Sequence, residues 1–390
     1  MATSTSNWQN GEMISIRPKS FLGYIAAIST GLTLLTIPVA QSNVLQLSIT
    51  TIDSSRTKIS ASNGERGAAL AIMADGRLLL GGGGNGSTLF IYDPIKKNTV
   101  LAGRAIKETE RINDSRFAIT DIGILSESAT RSDLLISFPT YNRASDCVSV
   151  HLYRYTLNLG SKPSLTRGKL WFKSNPCVPI SAVQHAAGRL QVINKNSAYL
   201  TVGDLGYSKI DDANRRGDLG SVFKVSATSR EKISQGHRNQ QGIVLIGKDL
   251  YTSEHGPRGG DEINIIEKGV DYGWPAVTYG EPYSSGDYVK PQSTGNHDGY
   301  KKPLTYWVPS VAPTELVQLP SAQWGAWSGQ MVMGTLRDES LIFIKLLDPN
   351  KVGEMTTYPV NERIRDLEVG ANGQMIATTD SGKLLFISFR

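Results

Sequence analysis

The sequence predicts an all-β fold, a six-bladed β-propeller, and three observations carry that prediction. A unit of short apolar strands separated by polar turns recurs about six times from residue 67 onward, at a spacing of roughly 40–60 residues. The chain has 39 glycines and 15 tyrosines among 390 residues, with only 19% charged side chains. That balance favours turns and strands over helices. The length also suits one large β unit, because barrels and propellers run long as single domains. An array of β-sandwiches is the alternative that the same pattern allows.

The units follow in order. The first reads Ala68–Ile72, a turn at Asp75–Gly76, Leu78–Leu80 and Thr88–Tyr92. A less regular second unit fits Ile119–Tyr155, with Leu134–Ser137 and Val148–Tyr153 as strands. The third has Arg189–Ile193, Tyr199–Val202 and Ser221–Val225, and the fourth Gly242–Ile246, Leu250–Tyr251 and Ile263–Ile266. The fifth has Met331–Gly334 and Leu341–Ile344. The sixth has Asp366–Val369, a turn at Ala371–Gly373, Met375–Ala377 and Leu384–Ile387. Val44–Ile59 is expected to close the ring against that last unit, since an open sheet edge is a liability. Gly81–Gly84 reads as a blade turn; no Gly-Lys-Ser and no helix follows, so it is not a phosphate loop.

Phe21–Ala40 is apolar, uncharged and about the length that spans a bilayer. Arg17 and Lys19 precede it, and no Lys or Arg follows until Arg56. That asymmetry puts the N-terminus in the cytoplasm and the body outside. Ala40-Gln41-Ser42 offers a small-x-small cleavage site. Residues 1–42 are therefore read as a cytoplasmic flank with a signal peptide or a retained membrane anchor. Residues 43–390 are read as the propeller, exported to the periplasm or held facing it. Cys147 and Cys177 form one disulfide or remain two buried thiols. The net charge of +6 comes from scattered side chains, so no nucleic-acid partner is expected.

The densest chemistry lies in Gln235–Pro282. It holds Gln235-Gly236-His237-Arg238-Asn239, then Ser253-Glu254-His255-Gly256-Pro257-Arg258-Gly259-Gly260-Asp261-Glu262, then Asp271-Tyr272-Gly273-Trp274-Pro275. Clustered glycine and proline fix unusual backbone paths, and loops so fixed often carry sites. Carboxylates, carbonyls, imidazoles and a guanidinium suit a metal or an anionic cofactor. Arg337, Arg363 and Arg365 add guanidiniums that can fork onto carboxylates, with Lys383 as a weaker member. His185 and Asp204 can act as a base and its orienting carboxylate. No His-Glu-x-x-His and no serine nucleophile elbow occurs.

This run resembles the signature of the pyrroloquinoline-quinone (PQQ) dependent soluble aldose sugar dehydrogenases, the glucose/sorbosone dehydrogenase family. The resemblance is strong from about Ala182 to the C-terminus. It implies a six-bladed propeller that uses PQQ and Ca2+ to oxidise the anomeric hydroxyl of an aldose to the lactone, with electrons leaving to an external acceptor. It implies His185 as general base in His185-Ala186-Ala187-Gly188-Arg189-Leu190, Asp204 as its orienter, and Asp261 beside them. Cofactor contacts are implied for Arg238, Asn239, His255, Ser310, Arg337, Arg363 and Arg365, with Trp307 close to the same pocket. The carbonyls of Gly256 and Pro257 are implied ligands of a catalytic calcium, and Glu262 and Tyr272 of a second one. The early blades depart from the family. Asp114–Gly123 stands where Gly-Gly-Leu-Leu-Gly is usual, and Asn239-Gln240 replaces Asn-Pro. A non-catalytic propeller that binds a carbohydrate or protein ligand is the competing reading.

Overall fold

The computed structural model describes residues 46–180, 185–284 and 289–390. The Phe21–Ala40 segment and its cleavage site lie outside the described residues.

Six sheets of four antiparallel strands account for most of the strands in the described residues. Their innermost strands are Ala69–Ile72, Asp121–Glu127, Ala187–Asn194, Gln240–Ile246, Pro313–Gln318 and Ile364–Val369, which open blades 1 to 6. Each inner strand packs on the next, and the sixth packs on the first. The ring is closed as expected from the N-terminal side. Leu47–Asp53 pairs antiparallel with Lys383–Phe389 and supplies the outer strand of blade 6. Blade 3 gains a short parallel strand, Val270–Asp271, on its outer strand Arg230–Gln235.

Cores form where neighbouring blades face each other. Leu79, Ile91, Ile119 and Phe138 fill the space between blades 1 and 2. Leu135, Leu152, Leu200 and Phe223 fill that between blades 2 and 3. Alternation along each strand turns these residues to the same face, as period-two patterning requires. Cys147 and Cys177 are joined in a disulfide. It ties the third strand of blade 2 to the Val178–Pro179 segment that pairs beside it.

The central channel is held by charge. Asp121 accepts from its own neighbour Ile122 N and from Leu190 N of blade 3. Glu315 does the same with Leu316 N and with Ile243 N of blade 4. Asp366 does so with Leu367 N and with Leu70 N of blade 1. Three carboxylates thus join the blades in pairs. Arg189, 1% exposed, lies among them, 3.0 Å from Asp366, 3.4 Å from Glu315 and 4.0 Å from Asp121. Its guanidinium also donates to the carbonyls of Thr120, Gln241 and Arg365. Asp121 and Glu315 line a cavity of about 360 Å³ on one side. Thr120, Gln241 and Arg365 line one of about 160 Å³ on the other. Arg189 is the plug between the two mouths.

Candidate active site

Strand alternation gathers the candidates on one rim. In an antiparallel meander, the starts of the first and third strands and the ends of the second and fourth lie at the same edge. His185 leads into blade 3, and Asp204 follows its second strand. Arg238 and Asn239 lead into blade 4, and His255–Gly260 follow its second strand. Ser310 leads into blade 5, and Arg363 and Arg365 open blade 6. His185, Asn239, His255 and Arg365 line the smaller cavity together with Arg66 and Arg116.

His185 has a positive φ of 52°. That backbone is disfavoured for a residue with a side chain, and it is kept by its surroundings. Leu205 N donates to the His185 carbonyl at 3.3 Å. Gly203 packs so close that a side chain there would collide with the same carbonyl. The imidazole Nδ1 lies 2.9 Å from Asp204 Oδ1. Asp204 is 0% exposed, and its other oxygen accepts from Trp274 Nε1 at 2.8 Å. Gly206 N donates to Oδ1 at 2.7 Å. Nε2 of His185 lies 3.1 Å from Nη2 of Arg238. A guanidinium has only donors, so Nε2 presents its lone pair and Nδ1 carries the proton. Burial, followed by the Arg238 charge, lowers the imidazole pKa below 6.5 against the pull of Asp204. The ring is a neutral base with one fixed tautomer.

Arg238 anchors the far side. Its Nη1 donates to Gly256 O at 2.6 Å and His255 O at 3.1 Å. Its Nε is buried without a hydrogen-bond partner among the described residues. His255 Nε2 donates to Pro313 O at 2.6 Å, and Gln241 donates to Asn239 Oδ1 at 2.8 Å. Arg365 forks onto Asp380 at 2.8 and 2.9 Å. Arg363 reaches the same carboxylate at 3.0 Å but stays 48% exposed.

Several expected site residues take other places. Arg337 is exposed and does not line the cavity. Lys383 is paired with Glu362 beside blade 6. Trp307, half-buried, packs against the core between blades 4 and 5, and its strand pairs with Asp261–Ile263. Asp261 organises the loops around it. Its Oδ2 accepts from Ser310 Oγ at 2.6 Å and from Val311 N and Ala312 N at 2.8 Å. Its Oδ1 accepts from Gly256 N at 3.1 Å. Ser310 is thereby spent on Asp261 and offers the cavity little.

The metal assignments divide. Gly256 O already receives a cationic donor in Arg238, and Pro257 O accepts from Tyr283 at 2.7 Å. A side chain on Gly256 would run into the carbonyls of Gly259 and Gly260. A carbonyl-rich loop holding a stand-in cation has the hard-oxygen chemistry that calcium takes. For the second assignment, Glu262 and Tyr272 share a cavity of about 10 Å³, and each also has a partner within the protein. Glu262 Oε1 lies 2.7 Å from His297 Nε2, and its other oxygen accepts from Asn264 at 3.1 Å. The Tyr272 hydroxyl donates to Ile265 O and accepts from Glu267 N. Among the described residues no group of three or more His, Cys, Asp or Glu side chains is set to hold a metal.

Arg66 and Trp274 were not anticipated as site residues. Trp274 stood in plain view within Tyr272-Gly273-Trp274-Pro275; its indole N–H reaches the Asp204 carboxylate only through the fold. Arg66 has no motif around it.

A sequence model of the glucose/sorbosone dehydrogenase family matches residues 64–386. An uncharacterized protein of Synechocystis is 30% identical over 230 residues, 52% of this chain and 55% of that protein. The aldose sugar dehydrogenase YliI of Escherichia coli is 31% identical over 232 residues, 54% of this chain and 62% of that protein. The chain thus spans little more than half the length of these curated relatives. Among solved structures, the soluble aldose sugar dehydrogenase of Escherichia coli in its apo form aligns with a TM-score of 0.73 at 21% identity, covering 88% of this chain and 99% of that one. The PQQ-bound aldose sugar dehydrogenase of Streptomyces coelicolor aligns with a TM-score of 0.64 at 19% identity, covering 89% and 99%. At such identity the likeness speaks for the propeller fold alone. The family match extends over most of the chain, and by it this protein belongs to the glucose/sorbosone dehydrogenase family.

Proposed function

We propose that this protein is a quinoprotein dehydrogenase that binds PQQ at the smaller mouth and oxidises the anomeric hydroxyl of an aldose to the lactone. The observation that carries the reading is the fixed tautomer of His185, whose ring lines a cavity shared with guanidiniums and whose Nε2 is the accepting nitrogen. Such a mouth suits an acidic ligand, because guanidinium forks bind carboxylates. Bound PQQ would supply the two-electron acceptor for the sugar, and a calcium on the Gly256 and Pro257 carbonyls would supply Lewis acidity.

The chain's own residues do the rest. Nε2 of His185 accepts the hydroxyl proton once the substrate hydroxyl takes the place of Arg238 Nη2 on its lone pair. Asp204 holds the ring and offsets the imidazolium charge that forms. Trp274 and Gly206 hold Asp204 in turn. Arg238, Asn239 and Arg365 orient the acidic ligand. Arg189 closes the channel floor, so the reacting groups face one opening only.

We further propose export, supported by Arg17 and Lys19 before Phe21–Ala40 and by the Cys147–Cys177 disulfide, which suits an oxidising compartment. The decisive experiment loads the full chain with PQQ and calcium and records the cofactor absorption spectrum with and without aldoses. Spectral reduction by an aldose supports the dehydrogenase. PQQ binding without reduction by any aldose hands the reading to the binding module.

A further inference from the structure

Three arginines line the smaller mouth, and two of them are paired. Arg116 forks onto Asp114, and Arg365 onto Asp380. Arg66 is the exception: it makes no side-chain hydrogen bond or ion pair to any described residue. It ends the short hairpin strand Gly64–Arg66, whose partner is Ile59–Ala61. Gly67 follows, pressed so closely on Arg365 that a side chain there would meet the Arg365 Cβ.

The carboxylates within electrostatic reach of Arg66 are spent. Asp380 takes Arg363 and Arg365, and one of its oxygens also accepts from Gly67 N at 3.0 Å. Asp366 takes Arg189, Leu70 N and Leu367 N. Burial, then the charges of Arg365 and Arg189, bring the Arg66 pKa down to about 9. A half-buried arginine beside two like charges, with no carboxylate of its own, costs the empty protein some stability. A bound anion relieves that cost.

We propose that Arg66 is an additional receptor for a carboxylate of the acidic cofactor, kept unpaired in the empty protein for that contact. The inference rests on the reading that an acidic quinone occupies this mouth, and it assigns a residue from the blade 6–blade 1 seam to its recognition. The hairpin before blade 1 thereby becomes part of the site, on the side opposite Arg238.

The test uses the full chain with the variants Arg66→Met, which keeps bulk and loses charge, and Arg66→Lys, which keeps charge and loses the fork. PQQ affinity is read by quenching of intrinsic fluorescence, and thermal unfolding is read without cofactor. Arg66→Met is expected to bind PQQ about tenfold more weakly or worse, with an unfolding midpoint no lower than the wild type. Arg66→Lys is expected to recover part of the affinity. Wild-type PQQ binding with unchanged affinity in Arg66→Met overturns this inference alone. A lowered cofactor-free midpoint in Arg66→Met also overturns it, by making the residue structural. No PQQ binding by the wild type overturns both this inference and the functional reading beneath it.

Discussion

Nη2 of Arg238 stands 3.1 Å from Nε2 of His185, and this one contact decides which nitrogen carries the proton. The guanidinium cannot accept, so Nε2 must. Asp204 then receives the Nδ1 proton at 2.9 Å. A base with its accepting nitrogen fixed is thus set by two oppositely charged neighbours, one on each side of the ring.

Loss of the base should cost turnover but not cofactor binding. His185→Ala is expected to lower kcat with aldoses by about 10²–10⁴ and leave PQQ affinity near normal. Asp204→Asn should move in the same direction, because the amide cannot hold the same tautomer with its oxygen and its NH2 both placed. The double variant should fall no further than the worse single one, since the pair acts as a unit. Wild-type turnover in His185→Ala would remove the residue from the mechanism.

The pH profile tests the electrostatics of the same pair. Burial and Arg238 lower the His185 pKa, and only the neutral ring can take a proton. The rate should fall as acid protonates the ring, so the acidic limb of kcat/KM is expected below 6.5. Arg238→Met removes the nearby positive charge, and at saturating PQQ the limb should move to higher pH. A wild-type limb above 6.5 would contradict the assigned environment.

The guanidiniums should not be equivalent. Arg365 lines the mouth, whereas Arg337 is exposed and Lys383 pairs with Glu362. Equilibrium titration with PQQ should show Arg365→Met weakened about tenfold or more. Arg337→Ala and Lys383→Ala should stay within about twofold. Equal losses at all three would mean that the mouth acts through net charge and not through placed forks.

The sequence carried the blades well because strand alternation and turn residues are local. It singled out His185, Asp204, Arg238 and Asn239 because each sits in an ordered motif at a strand end, and the fold brings His185 against Asp204 and Arg238. Arg66 escaped because nothing local marks it; its role depends on Asp380, more than three hundred residues away, being already taken. Asp261 shows the converse. The sequence marks it beside the reacting groups, and only the fold shows Val311 N, Ala312 N and Ser310 donating to it. The same holds for Glu262, which His297 reaches from a separate loop.

The disulfide should matter more for stability than for the site. Cys147 and Cys177 are 30 residues apart in sequence. Closing a loop of that size is worth about 3–4 kcal/mol by chain entropy. The Cys147→Ser/Cys177→Ser variant should lose a comparable amount in denaturant unfolding, with PQQ affinity unchanged. Free alkylation of both thiols in denatured, unreduced protein would show that the bond does not form.

The Arg189 plug gives the sharpest test of the scaffold. Arg189 answers the carboxylates of Asp121, Glu315 and Asp366 in the channel. Burial pushes the Asp121 and Glu315 pKa values up while Arg189 pulls them down. Arg189→Met should cost about 3–5 kcal/mol near neutral pH, the usual result of leaving a buried charge unanswered. The remaining carboxyls can escape by taking up protons. Their folded pKa values would then stand well above the unfolded ones, so the folded state would bind more protons and stability would fall as pH rises. The deficit of Arg189→Met relative to wild type is therefore expected to be smaller at pH 5 than at pH 8, read as the difference in unfolding midpoints. A deficit that is equal at both values would mean that Arg189 contributes packing alone, and that the three carboxylates do not depend on it.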